Sequence, residues 1–408
     1  MGALLSAPTI ISSTTPTTLA AGTVIWTSGS TVNSSNGLMF DSTNFQLGVS
    51  NTYSNNSNYR RLSLTSTSSF AIVAADSLGT GGANYSLVLR TSGTGAIQTQ
   101  VTDNTATGGN ARGANAVDLQ SVRSGPAQVA SGANSFVVGA RNTASNQYSS
   151  AIGWSNTASG DSASAIGWAN IASGSYSSAL GVSNTASGAN SLAVGNTNTA
   201  SGQSSVSLGA HNISNNICSV ALGYGNTCSQ FGSIALGRNI ISSGNCSVGL
   251  GRYANTKNMT SLVAIGVSHL GEGFNPQTCI CTLGIITTNA TPTALRSDEN
   301  PTGNAGNQFT ILANSAVTFY GLISATTTNG GDCSSWEFKG QLQSGNSTNS
   351  GALVAAVTPV LIAQKAGAST WSVAITAASV NRLLITVTGE AGKTIRWVCS
   401  MFMTEVYF

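Results

Sequence analysis

A glycine falls at positions 139, 153, 167, 181, 195, 209, 223, 237 and 251, each 14 residues after the last. Gly266 continues the series one residue late. A fixed period of this length marks a solenoid, in which each repeat is one turn of backbone that buries its faces only against neighbouring turns. The other columns keep the same register. The residue before each glycine is aliphatic throughout: Val138, Ile152, Ile166, Leu180, Val194, Leu208, Leu222, Leu236 and Leu250. Two before it the residue is small, as in Ala151, Ala165, Ala179, Ala193, Ala221 and Ala235. Four before it stands Ser in eight of nine coils. Three after it stands Asn at 142, 156, 170, 184, 198, 212 and 226.

A second glycine column lies seven before the first, at 132, 160, 174, 188, 202 and 244, with Asn146 and Asn216 as substitutes. Two such columns half a repeat apart predict two sharp turns per coil, since Gly and Asn tolerate φ > 0. The segments between them alternate with period two and are too short for helices. One coil is therefore two short strands and two turns. Stacked at about 4.8 Å, nine coils reach about 43 Å. The Asn column then becomes a ladder, each amide bonding its copy above and below. A coil this thin holds one row of small side chains inside and buries little apolar area alone. The outer face of the same strands is apolar and needs a partner, which three chains around a common axis would supply.

Only 7% of residues are charged, against roughly a quarter in an average soluble domain, while Gly numbers 47. Such a chain lacks the charged faces of salt-bridged amphipathic helices. The net charge of +3 and the absence of a dense Lys/Arg cluster exclude nucleic acid as the expected partner. No apolar run reaches the length of a membrane-spanning helix. Met1-Gly2-Ala3-Leu4-Leu5-Ser6 lacks the basic start and long apolar core of a secretory signal. The cysteines, 218, 228, 246, 279, 281, 333 and 399, are odd in number, which fits a reducing assembly compartment.

Ser-Ser-Ala-Ile-Gly (149–153), Ser-Ala-Ile-Gly (164–167), Ser-Val-Ala-Leu-Gly (219–223) and Ser-Ile-Ala-Leu-Gly (233–237) resemble the head repeats of trimeric autotransporter adhesins. The resemblance implies a left-handed parallel β-roll assembled as a homotrimer. It covers about a third of the chain, and no heptad stalk or membrane-anchor barrel accompanies it. Asn36-Gly37-Leu38-Met39-Phe40-Asp41 and Phe45-Gln46-Leu47-Gly48-Val49 look like the short β-rich segments of phage tail-fibre shafts. The stretches 330–340, containing Trp336, and 387–398, containing Trp397, resemble C-terminal domains of phage tail and fibre proteins.

The expected fold class is all-β. Residues 1–30 read as an attachment arm, 31–127 as a β-rich shaft and linker, and 128–268 as the β-roll. Residues 269–301 read as a linker, and 302–408 as an antiparallel β-sandwich of jelly-roll type. Strand-like runs in the last part are 308–312, 316–324, 335–342, 352–362, 371–376, 382–387 and 394–406, separated by turn signals such as Asn329-Gly330-Gly331-Asp332. Trp336, Trp371 and Trp397 fall in these runs and are expected in the core.

Titratable chemistry is sparse. His211 follows a column glycine and His269 lies 58 residues on. Asp161 is the only acid inside the coils. Asp332 and Glu337 are read as a turn residue and a solvent-facing strand residue, and Asp298-Glu299 as a solvated loop. Cys279-Ile280-Cys281 has the wrong spacing for a zinc knuckle. Cys218 and Cys246 share a column two coils apart, about 9.5 Å, too far for a disulfide. No catalytic, cofactor or metal residues are assigned, and the chain is read as a non-enzyme. The candidate receptor contacts are Trp154, Trp168, Tyr224, Arg238 and Arg252, which share the column after the glycine. There the tryptophans should stack one coil apart, and aromatics and cations would offer a surface to sugar or protein. If the column faces a neighbouring chain it is packing instead.

The functional expectation is a structural fibre of a phage virion, a tail fibre mediating host attachment, with no cofactor. Its partners would be two further copies, virion proteins through the arm, and a host glycan or protein through the C-terminal domain, without nucleic acid or membrane insertion. It would assemble in the host cytoplasm. A capsid or head decoration fibre and a bacterial surface adhesin are the alternatives.

Overall fold

The computed structural model describes residues 38–41, 46–49, 60–66, 71–77, 93–267, 276–298, 307–347 and 349–407. The arm at 1–30 and His269 lie outside them. The chain divides into two units, Met1–Arg90 and Thr91–Phe408. In the first, Leu38–Asp41 pairs antiparallel with Gln46–Val49, and Arg60–Ser66 with Ala71–Ser77.

The second unit is dominated by a parallel β-solenoid of about 10 turns with ~14-residue coils. Its long sheet runs from Phe136–Ala140 through Ser150–Trp154 and successive copies to Val248–Arg252 and Val263–Gly266. Register is one coil per strand, so Ala151 faces Ala165 and Gly153 faces Gly167. A second sheet of eight two-residue strands, Thr143–Ala144 to Ile241–Ser242, closes the other side.

The interior takes two facing rows of small side chains where one was expected. Ala151, Ala165, Ala179 and Ala193 come from the long sheet, and Ala144, Ala158, Ala172, Ala186 and Ala200 from the short one, all fully buried. The Asn ladder forms beside them. Asn184 Nδ2 donates to Asn170 Oδ1 at 3.0 Å, to Leu180 O at 2.8 Å and to Gly195 O at 2.8 Å. The next rung returns the pattern, Asn198 N and Nδ2 both donating to Asn184 Oδ1 at 3.0 Å. Gln120 starts the ladder by accepting from Asn142 N at 3.0 Å, and it ends where Ile240 N donates to Asn226 Oδ1. Ile240 fits there because Gly249 leaves room: a Cβ on Gly249 would lie 2.3 Å from Ile240 Cγ2.

The two glycine columns work differently. From Gly139 to Gly237 the first column has φ between +112 and +141°. The second has ordinary φ, contrary to the expected left-handed turn. It is glycine because coils touch there: a Cβ on Gly174 would sit 2.1 Å from Gly188 O. The left-handed residues are instead two columns of variable identity. One includes Ser155, Ala169, Ser183, Thr197 and His211, and the other Tyr148, Ser162, Tyr176 and Cys218, all with φ between 52 and 58°. Each is held by its N–H donating to the preceding coil, as Ala169 N does to Trp154 O at 2.9 Å. That tertiary bond offsets a left-handed cost of about 1–2 kcal/mol per residue.

The sheet begins before the repeat does. Ile97–Gln98 and Val117–Val122, in the segment read as shaft and linker, pair parallel below Phe136–Ala140. There the interior holds a buried ion cluster, Asp118 Oδ2 receiving Arg112 Nε at 2.8 Å and Arg123 Nη2 at 3.0 Å. At the far end, Val263–Gly266 pairs antiparallel with Gln277–Thr287, which continues the sheet out of the segment read as a linker. From there the order is Gln277–Thr287, Ile395–Tyr407, Ser315–Thr327, Cys333–Ser344, and on the last strand's free edge Ala352–Leu353 and Val360–Gln364. The run expected at 352–362 is broken around Pro359, which has no N–H to give the ladder. The run at 308–312 makes a single bridge, Thr310 to Arg382, and inserts Phe309 and Ile311 into the core.

A small sheet of Thr293–Ala294, Arg382–Thr388 and Ser372–Ala378 shares that core. Trp397 sits at its centre, 5.7 Å from the rings of both Trp336 and Trp371, its Nε1 donating to Thr287 Oγ1 at 2.9 Å. All three indoles are buried, as expected. Lys257, from the last coil, forms a buried ion pair with Glu405 of the final strand and lies 4.9 Å from the Phe309 ring. Among the described residues no helix is long and apolar enough to cross a membrane.

Candidate functional site

The candidate residues are brought to one edge of the roll because each follows a column glycine, where the left-handed bend turns the chain outward. Trp154 and Trp168 stack one coil apart, centroids 5.5 Å and planes 4° apart, as the register requires. They are 38% and 47% exposed. Arg141 lies 5.3 Å from the Trp154 centroid on the side away from Trp168's coil. The ring faces are thus largely turned to each other and to a guanidinium. What the pair offers outward is mainly ring edges.

Further along the same edge Tyr224 is 47% exposed. Arg238 lies 5.4 Å from its ring centroid, and the His211 ring approaches it edge-on at 5.4 Å. Arg252 faces Arg238 directly in the next strand and sits 5.0 Å from the Tyr253 ring. Hydrogen bonding to Asn239, and after it to Arg252, lowers the Tyr253 phenol below its ordinary pKa. The structure therefore joins all five candidates to one edge, in two groups separated by Val182, Asn196 and Ala210. It adds Arg141, His211 and Tyr253, of which the sequence singled out only His211, as a residue following a column glycine. Their signal was position: they stand two residues after the glycine, in the left-handed column.

The other polar groups have separate partners. Asp332 accepts from Lys393 at 3.1 Å, and Glu337 from the Tyr320 hydroxyl at 3.2 Å. Among the described residues no group of three or more His, Cys, Asp or Glu side chains is placed to hold a metal ion. Cys279, Cys281 and Cys399 are buried near one another in the C-terminal core, and burial pushes the thiols of Cys279 and Cys399 up to about 12.

The outward face of the long sheet forms a second feature. Leu192, Val206, Val220, Ile234, Val248 and Val263 make one row, and Val194, Leu208, Leu222, Leu236, Leu250 and Ile265 the next. All are half-buried or exposed in the single chain. The first row does not stop with the roll. Val263 pairs with Ile280, Ile280 with Phe402 and Phe402 with Tyr320, so the row crosses onto the C-terminal sheet. Those three are 41%, 52% and 43% exposed.

Residues 130–156, 158–184 and 186–212 match the YadA head domain repeat. No curated protein matches the chain. Among solved structures, the chain is similar to a tailspike protein, gp49 from Acinetobacter baumannii bacteriophage Fri1, described as a capsular polysaccharide depolymerase. The identity is 10% and the TM-score 0.22. The similarity covers 77% of this chain but only 54% of that one, so the chain spans about half of its length. The part of the roll with the cleanest 14-residue period is thus what is similar to YadA head repeats.

Proposed function

We propose that the chain is a homotrimeric attachment fibre of a phage virion, with the roll as a rigid spacer. The arm at 1–30 docks on the particle, and the C-terminal domain contacts a host glycan or protein. The supporting observation is the apolar outward face. Six strands at about 4.8 Å and two rows about 7 Å apart give a strip of about 200 Å² on the roll, and Ile280, Phe402 and Tyr320 extend it toward the few hundred Å² that monomers seldom leave uncovered. A surface that repeats every coil is complementary to another with the same repeat, which a second copy of this chain supplies. Because hydrogen-bonded register carries the row onto Ile280, Phe402 and Tyr320, copies packed on the roll also meet at the C-terminal sheet. The phage reading draws on the shaft-like phrases at 36–49 and the terminal-domain phrases at 330–340 and 387–398. The role is read as binding, not hydrolysis; release of reducing ends from a host polysaccharide would overturn that.

The test is the mass of the purified full chain by light scattering, expected at three chains. Leu208→Glu with Leu222→Glu should give single chains while the fluorescence of the buried C-terminal tryptophans is kept. A single-chain mass for the unmodified protein would end the trimer reading. Immunogold labelling of virions, together with competition of phage adsorption by the purified fibre, tests the virion role. A bacterial surface adhesin is a second reading, favoured by the YadA head repeats. Labelling confined to the bacterial surface would select it.

A further inference from the structure

Charge in the roll is segregated. Between residues 128 and 256 the only Lys or Arg residues are Arg141, Arg238 and Arg252, the only histidine is His211, and the only acid is Asp161, while Lys257 of the last coil is buried and paired with Glu405. Every one of the four basic residues lies within two positions after a column glycine, on the edge that also carries Trp154, Trp168, Tyr224 and Tyr253. Asp161 follows Gly160, on the opposite turn. Arg238 and Arg252 are directly paired neighbours in parallel strands. Like charges so placed repel, and the acid of the coils, Asp161, lies on the opposite turn.

From this juxtaposition we propose that the edge is a binding ridge for an anionic polysaccharide lying along the roll axis. Carboxylates or sulfates would meet the arginines, and sugar rings would lie along the exposed edges of the aromatic side chains. This deepens the attachment reading by naming the ligand class. Charge density decides between polyanions. Arg141 and Arg252 are eight coils apart, about 38 Å at roughly 4.8 Å per coil. Duplex DNA carries about 22 charges over that length, far more than three arginines neutralise. A polysaccharide bearing an acid only every few sugars matches cations spaced between uncharged aromatic groups.

The test uses the full chain and immobilised polygalacturonate, alginate, hyaluronan and dextran sulfate, with neutral dextran and oligo-dT as comparators. At least one acidic glycan should bind, weakening as salt rises, while dextran and oligo-dT bind at least tenfold more weakly. Arg238→Ala with Arg252→Ala should lower that affinity by about tenfold or more, from the loss of charge-assisted hydrogen bonds, at unchanged mass by light scattering. Arg238→Lys with Arg252→Lys should recover part of it. The proposal is overturned by no binding across the acidic panel, by equal binding of dextran, by stronger binding of oligo-dT, or by affinity indifferent to the arginines. A fall in mass in the alanine variant would also overturn it, by assigning the ridge to packing between chains. Failure of the trimer reading is seen separately, in the mass of the unmodified protein.

Discussion

Replacing Asn184 by Ala removes one rung from the middle of the buried ladder. Asn184 Oδ1 is the acceptor for the backbone N–H of Asn198 at 3.0 Å and for its side-chain amide at the same distance. Its own Nδ2 serves Asn170 Oδ1, Leu180 O and Gly195 O. The Asn198 side chain keeps its bonds to Val194 O and Gly209 O, so its loss is partial. Its backbone N–H is left fully buried with no acceptor, and two carbonyls each lose a donor. An orphaned buried group costs about 1–3 kcal/mol, and a net local cost of about 3 kcal/mol follows after partial relaxation. Because each coil touches only its neighbours, this loss opens the roll locally more than it melts the whole chain. The assay is amide hydrogen exchange. Protection across residues 178–212 should fall by about two orders of magnitude, and coils 136–154 should change little. Asn196→Ala is the control, since Asn196 is exposed and its Oδ1 accepts only from Thr197 Oγ1 at 2.7 Å among the bonds described. If N184A and N196A exchange alike, the ladder contributes nothing beyond the sheets and the argument from orphaned groups is refuted.

Gly188→Ala should cost more than about 4 kcal/mol, because its Cβ would lie 2.0 Å from Gly202 O, which is backbone. Gly330→Ala, at φ +71° with nothing within 4 Å, should cost about 1 kcal/mol; urea midpoints compare the two. Thr197→Gly should stabilise the roll by about 0.5–1 kcal/mol, since a β-branched residue is held there at φ 55°. Glu405→Gln leaves Lys257 buried without its counter-charge and should cost about 3–5 kcal/mol, whereas Lys257→Met with Glu405→Leu should cost far less, read by the tryptophan fluorescence of the C-terminal core. Burial raises the Cys228 thiol to about 11 and those of Cys279 and Cys399 to about 12, from an ordinary 9. The folded chain then holds protons the unfolded chain has released, so the stability these thiols contribute is intact below pH 9 and is lost between pH 9 and 12. Melting temperature should fall through that window, and less steeply in C279A/C399A; equal slopes would refute the assignment.

The 14-residue period by itself determined the coil, the strand register, the Asn ladder and the edge on which the candidate aromatics and arginines meet. It did so because a solenoid converts sequence spacing directly into spatial neighbours: position n lies beside n + 14. The alternation of strand runs likewise marked most of the C-terminal sandwich, since period two assigns each side chain to a face. Three things only the tertiary structure decided. The left-handed turn residues have no shared chemistry, as Ser155, Ala169, Thr197 and His211 show, and are set by hydrogen bonds from the preceding coil. The strands at 97–98, 117–122 and 277–287 lie outside the repeat, and pairing to a roll edge defines them instead of any pattern of their own. The joining of the roll's apolar row to Ile280, Phe402 and Tyr320 depends on antiparallel pairings between segments far apart in the chain, Ile280 with Phe402 and Tyr320 with Phe402, and no local spacing carries that information.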